Sequence, residues 1–242
     1  MNNINKWYLY VVVLLVVATA VYFFVFNKKD SIDDTSMSKT IQMCYRYEEK
    51  TSSGFYDKAW LKMDITEEKV VGEYRNLPAQ KDSKIGKFEG TVGAMNPNTS
   101  SRTADVMWEA LAEGILNKEQ LKINFGEGSA VAMFGVMSDK GDGTYVYKDP
   151  TNLSASFQMS QIDCVYLDDY IFVEKYIREN INSIVEEAPV LGGSWYPTRI
   201  YINPFAQSGT ISYEDGHIQG EMDFYYIRDG ENVEINKLDL SK

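Results

Sequence analysis

The chain has 242 residues, 35 acidic against 24 basic, a net charge of −11 and a single histidine. An acidic surface of this kind repels nucleic acid and anionic lipid headgroups. One imidazole excludes a histidine-rich metal site and leaves a Ser-His-Asp or Cys-His apparatus only if His217 is its base.

The stretch from Trp7 to Phe26 carries no charge and has the length of a membrane-spanning helix, about 30 Å at 1.5 Å per residue. Trp7, Tyr8 and Tyr10 at one end and Tyr22 at the other are interfacial anchors. Ala18-Thr19-Ala20 fits a signal-peptide cleavage site, but cutting there leaves an apolar new terminus, so the length favours an uncleaved signal-anchor. Lys6 before the span and Lys28 and Lys29 after it set almost no charge bias. A long C-terminal region translocates largely regardless of such charges, which places it outside the cytoplasm; a cytosolic domain on an inverted anchor is the alternative. The expected organisation is a transmembrane signal-anchor over residues 1–30 and a polar linker over 31–39, followed by two folded regions.

The first region, residues 40–149, reads as strands and turns. Ile41, Met43, Tyr45 and Tyr47 alternate with polar neighbours, and Ala59, Leu61, Met63 and Ile65 repeat the pattern. Residues 66–69 make a turn before a return strand at 70–75, and another strand covers 87–92. Residues 103–114 combine a period of two with good helix formers; their neighbours are strands, so a strand is expected. A hairpin follows, with strands at 120–125 and 129–137 around Gly126-Glu127-Gly128. Short antiparallel strands with one apolar face each must close or stack, giving a β-barrel or sandwich.

The second region, residues 159–242, begins with a helix over 168–187 capped at Leu167-Asp168-Asp169. Tyr170, Val173, Ile177, Ile181 and Ile184 form its apolar stripe, and Glu174, Lys175, Arg178 and Asn182 face out. Four strands follow at 195–202, 209–213, 218–226 and 232–240, jointed by Asn203-Pro204, Asp215-Gly216 and Asp229-Gly230. One apolar helix stripe across a four-stranded meander buries both. The expected fold class is therefore a β-rich α+β protein: a transmembrane helix, an antiparallel barrel-like module, and a helix-on-sheet roll.

Two sets of residues carry resemblances. Gly54-Phe55-Tyr56-Asp57, Ala59-Trp60-Leu61, Gly72-Glu73 and Gly90-Thr91-Val92 resemble small calycin-like barrels of membrane-tethered bacterial proteins. The second region resembles the cystatin-like or nuclear-transport-factor-2-like roll. Its motifs, Leu191-Gly192-Gly193-Ser194-Trp195-Tyr196 and Tyr213-Glu214-Asp215-Gly216-His217-Ile218, look like those of uncharacterised, membrane-tethered prokaryotic proteins. The resemblance implies a fold and an address and carries no activity or catalytic residue.

Candidate chemistry is sparse. Glu214, Asp215 and His217 could form a carboxylate–imidazole cluster, although Asp215-Gly216 reads first as a tight turn. Trp195 and Tyr196 are candidate ligand-stacking aromatics, or core residues that start a strand. Residues 139–144 offer oxygen ligands but lack the spacing of a calcium loop. Cys44 and Cys164 are the whole thiol supply, either one disulfide or two buried thiols. No catalytic set converges, and no cofactor or metal site is expected. The leading expectation is a non-enzymatic binding or interaction module held in the bilayer by its anchor. The alternatives are a carrier with an apolar molecule inside the barrel and an enzyme using the roll's cavity.

Overall fold

A computed structural model describes residues 39–190 and 193–237. The expected span and most of its linker lie outside these residues. Among the described residues no helix is long and apolar enough to cross a membrane.

Eight antiparallel strands close a barrel: β1 (Thr40–Lys50), β2 (Tyr56–Thr66), β3 (Lys69–Leu77), β4 (Lys84–Val92), β5 (Ser101–Ala112), β6 (Ile115–Gly126), β7 (Ser129–Phe134) and β10 (Ser154–Ile162). Neighbours in sequence pair as a meander through β7, β10 pairs with β7, and β10 returns to β1. Between β7 and β10 lie two short strands, β8 (Met137–Asp139) and β9 (Thr144–Tyr147), with β9 running parallel to the start of β6. The ambiguous segment at 103–114 is strand β5, and Glu113-Gly114 is its hairpin turn. Both turn residues have positive φ, 50° and 80°, as a two-residue hairpin demands.

Three features differ from expectation here. The strand foreseen over 129–137 stops at Phe134, and its last residue belongs to β8. The strand that closes the barrel, β10, lies beyond residue 149, and its irregular register between Ala155 and Gln158 hides the alternation a strand normally displays. The barrel is also wider in sequence than the first region foreseen: its wall runs from Thr40 to Ile162.

Alternate residues fill the interior. Tyr45, Leu61, Met63, Tyr74, Trp108, Leu121, Ile123 and Met159 are each fully buried. The Trp108 indole N–H donates to the Gly86 carbonyl at 3.0 Å. A Cβ on Gly86 would sit 1.8 Å from the Glu109 carbonyl oxygen, so only glycine lets β4 lie this close to β5. Near the β5–β6 turn, Lys84 and Glu119 make an inward-facing ion pair at 2.5 Å.

From β10 the chain passes at once into α1 (Cys164–Ile184). The expected cap at Leu167-Asp168-Asp169 is corrected: the helix starts at Cys164, four residues before the expected 168, and the Asp163 carboxylate caps it by accepting from the Val165 N–H at 2.9 Å. Asp168 and Asp169 lie inside the helix and make lateral ion pairs instead, with Lys62 and Arg228. The helix ends at Ile184 rather than at 187, with Val185 as its extended cap. Its sheet is β11 (Tyr196–Asn203), β12 (Ser208–Glu214), β13 (Gln219–Asp229) and β14 (Asn232–Lys237), a simple antiparallel meander. Val173, Ile177 and Ile181 bury against Ile200, Ile202, Ile211, Met222, Phe224 and Tyr226. Glu221 and Asp223 take hydrogen bonds from Ser212 and Thr210 and alternate with these buried positions.

The helix has a second buried face. Leu167 and Ile171, four residues apart, pack with Trp60 and Cys44 on the outside of the barrel. Cys44 and Cys164 are bonded, with Cα atoms 5.2 Å apart. Glu174 was expected to face solvent; it turns to the barrel instead, where Lys58 reaches it at 3.1 Å. The apolar stripe on the sheet side is so clean that it hides this second, mixed stripe.

Candidate binding cleft between barrel and helix

The hairpin residues singled out from the sequence come together at one end of the roll. Asp215 accepts from the backbone N–H groups of His217 and Ile218 through one oxygen and from that of Val190 through the other. Those bonds, the Ile218 one foremost, hold its carboxyl below the usual range. Gly216 supplies the positive φ, 87°, and His217 is exposed. The carboxylate is occupied by the turn itself. Tyr196 is half-exposed, and the nearby Glu214 carboxylate raises the pKa of its phenol. Trp195 is 3% exposed; it meets Tyr213 edge-on at 5.0 Å and donates its indole N–H to the Glu187 carbonyl at 2.7 Å. It is a core residue. In the loop at 139–144, Asp139 and Asp142 accept from their own turn amides, and among the described residues no cluster of three metal-ligating side chains occurs.

The two-sided helix creates a different site. Where α1 leaves the barrel wall, a cleft of about 310 Å³ opens between it and strands β1–β3. Strand alternation aims Arg46, Lys58, Trp60 and Arg75 outward into it, because Tyr45, Ala59, Leu61 and Tyr74 take the inward positions. The helix contributes Tyr170, Ile171, Glu174, Lys175 and Arg178 at a spacing that keeps them on one face. Two guanidinium groups lie on aromatic rings: Arg75 over Trp60 at 4.6 Å and Arg46 over Tyr170 at 3.7 Å. Stacking holds a guanidinium plane still while leaving its edge N–H groups free to donate.

Glu174 is the hub. Arg178 donates to its Oε1 at 2.7 and 3.0 Å, and Lys58 sits 3.1 Å from Oε2. Burial pushes its carboxyl up, but Lys58 and Arg178 outweigh burial and hold it below its ordinary value. Arg75 is paired with Glu73 and Arg46 with Glu48, each two residues away on the same strand face. Among the described residues Lys175 makes no ion pair. The lining thus carries five cations and two carboxylates, Glu174 and Glu179, on a chain whose net charge is −11. Chemically the cleft can accept an anionic group.

Sequence reasoning missed this site. Its trace was an aromatic, Trp60, among lysines at outward positions of β2, together with Leu167 and Ile171 on the supposedly solvated side of the helix. No protein-family model matches the chain, and no curated protein or solved structure is found to be similar to it.

Proposed function

We propose that this protein is a membrane-tethered, extracytoplasmic binding module that has no chemistry of its own and presents the barrel–helix cleft to an anionic group of a partner. In this reading the stretch from Trp7 to Phe26 is the single-pass anchor, the barrel is calycin-like, and the roll is cystatin-like or nuclear-transport-factor-2-like. One observation carries it: an otherwise acidic chain gathers five cations around one cleft and stacks two of them on rings. Large side chains fill the barrel and the space between helix and sheet, which favours binding on the outer surface over a cargo held within.

The test is thermal stability of the full-length protein in detergent with citrate, phosphate or short polyglutamate. A ligand of the folded state raises the melting temperature with concentration. The expected result is a rise that Arg75→Ala and Arg178→Ala each diminish. An equal rise in wild type and both variants would overturn the cleft. Protease added to intact cells tests the address: the reading requires loss of residues beyond the anchor, and full protection would refute it.

A further inference from the structure

The cleft does not end at Arg75. The pairing register continues it around the barrel wall as one lateral row of outward side chains: Trp60, Arg75, Ile85, Leu111 and Leu116 are successive partners on β2, β3, β4, β5 and β6. The row changes from cationic to apolar between β3 and β4. Leu111 is 39% and Leu116 60% exposed, and Ile115 at the same hairpin is 62% exposed. At roughly 4.8 Å between strands, the row runs about 19 Å from Trp60 to Leu116, the length of about six extended residues.

Beside it, one step along the strands, lie Lys62, Glu73, Lys87, Glu109 and Lys118, whose charges alternate from strand to strand. These residues line a second hollow of about 520 Å³ on the same wall. Such a rim borders the row with hydrogen-bonding groups of both signs. A basic end, an apolar opposite end and a polar rim are the parts of a peptide-binding groove.

We propose that cleft and row form one docking groove for a protein segment that carries carboxylates next to two or three apolar side chains. The carboxylates meet Arg75, Lys175 and Arg178, and the apolar side chains cover Ile85, Leu111 and Leu116. This rests on the cleft as an anion-accepting site and adds the class of partner. Charge complementarity with Arg75, Lys175 and Arg178 selects a short acidic segment, and the negative charge of the rest of the chain discourages an extended anionic surface such as anionic lipid.

The experiment is selection of random twelve-residue peptides displayed on phage against the full-length protein in zwitterionic nanodiscs, followed by synthesis of the enriched peptides. They are expected to place Asp or Glu within about six residues of Leu, Ile, Val or Phe. Affinity is expected to fall about tenfold or more in Arg75→Glu and, separately, in Leu116→Ser. Lys69→Glu, at the start of β3 and the other end of the barrel, is expected to leave it unchanged, and melting temperatures establish that each variant is folded. No enrichment, or enriched peptides lacking either the acids or the apolar residues, would overturn the groove. So would binding indifferent to Leu116→Ser; if anions still stabilise the fold through Arg75, the cleft survives and only its extension falls. Binding of peptide-free phosphatidylcholine vesicles that Leu116→Ser abolishes would reassign the row to lipid and also overturn the proposal.

Discussion

Trp108, Glu174 and Arg228 show three ways in which a single side chain holds this fold. Trp108 is fully buried and its indole N–H is satisfied by Gly86, so Trp108→Ala removes a large packed volume and a hydrogen bond together. The expected loss is about 3–5 kcal/mol, measurable by chemical denaturation. Arg228 reaches the buried Asp169 carboxylate and the carbonyls of Val165 and Gly230, tying the start of the helix to β13. The Tyr226 phenol lies against the same carboxylate, and burial and that charge together raise its pKa. Arg228→Ala leaves Asp169 buried without its cation and is expected to cost about 3–5 kcal/mol, with Asp169→Asn added to it restoring part of the loss. Glu174 gives a pH signature. Its carboxyl is held below its ordinary value in the fold, so the stability it contributes is fully present above the ordinary carboxylate range and disappears as pH falls through and below it. Melting temperatures of wild type and Glu174→Gln are therefore expected to differ at pH 7 and to converge in acid.

At the scale of elements, the helix decides the arrangement. One stripe, Val173, Ile177 and Ile181, covers the sheet, and the other, Leu167 and Ile171, covers the outside of β1 and β2. The Cys44–Cys164 bond fastens the first turn of the helix to the wall across 120 residues of sequence. Closing a loop of that length restricts the unfolded chain by about 4–5 kcal/mol in the entropy model, so Cys44→Ala/Cys164→Ala is expected to melt far earlier than wild type. Reduction of the wild type by dithiothreitol is expected to reproduce that melting temperature; a disulfide that contributed nothing would leave all three equal. The helix stripe that faces the sheet was legible because it is uniformly apolar at helical spacing. The stripe that faces the barrel was not, because Asp168 reads as a cap and Glu174 and Arg178 as solvated until Lys62 and Lys58 are brought beside the helix from about a hundred residues away.

For the whole molecule, barrel and roll share one helix and are joined by a disulfide, two ion pairs and the Arg46–Tyr170 stack. Calorimetry of the oxidised protein is expected to show one unfolding transition for these parts. Cys44→Ala/Cys164→Ala combined with Lys58→Ala and Lys62→Ala is expected to separate it into two. Two transitions already in the wild type would refute a shared helix as the coupling element.

Composition marked an acidic chain with a single imidazole, and alternation marked the strands of β1, β2 and β5. Turn residues such as Glu113-Gly114 and Asp215-Gly216 marked the hairpins, since those signals depend on neighbours within a few positions. Barrel closure through β10, the early start of the helix at Cys164 and the cleft were decided only by tertiary structure. Each depends on partners far apart in sequence: β10 on β1, the helix on the strand that delivers it, and Arg75 on a tryptophan and a helix that only folding places beside it. Local periodicity reports which face of an element is apolar; what the other face will meet is a property of the assembled molecule.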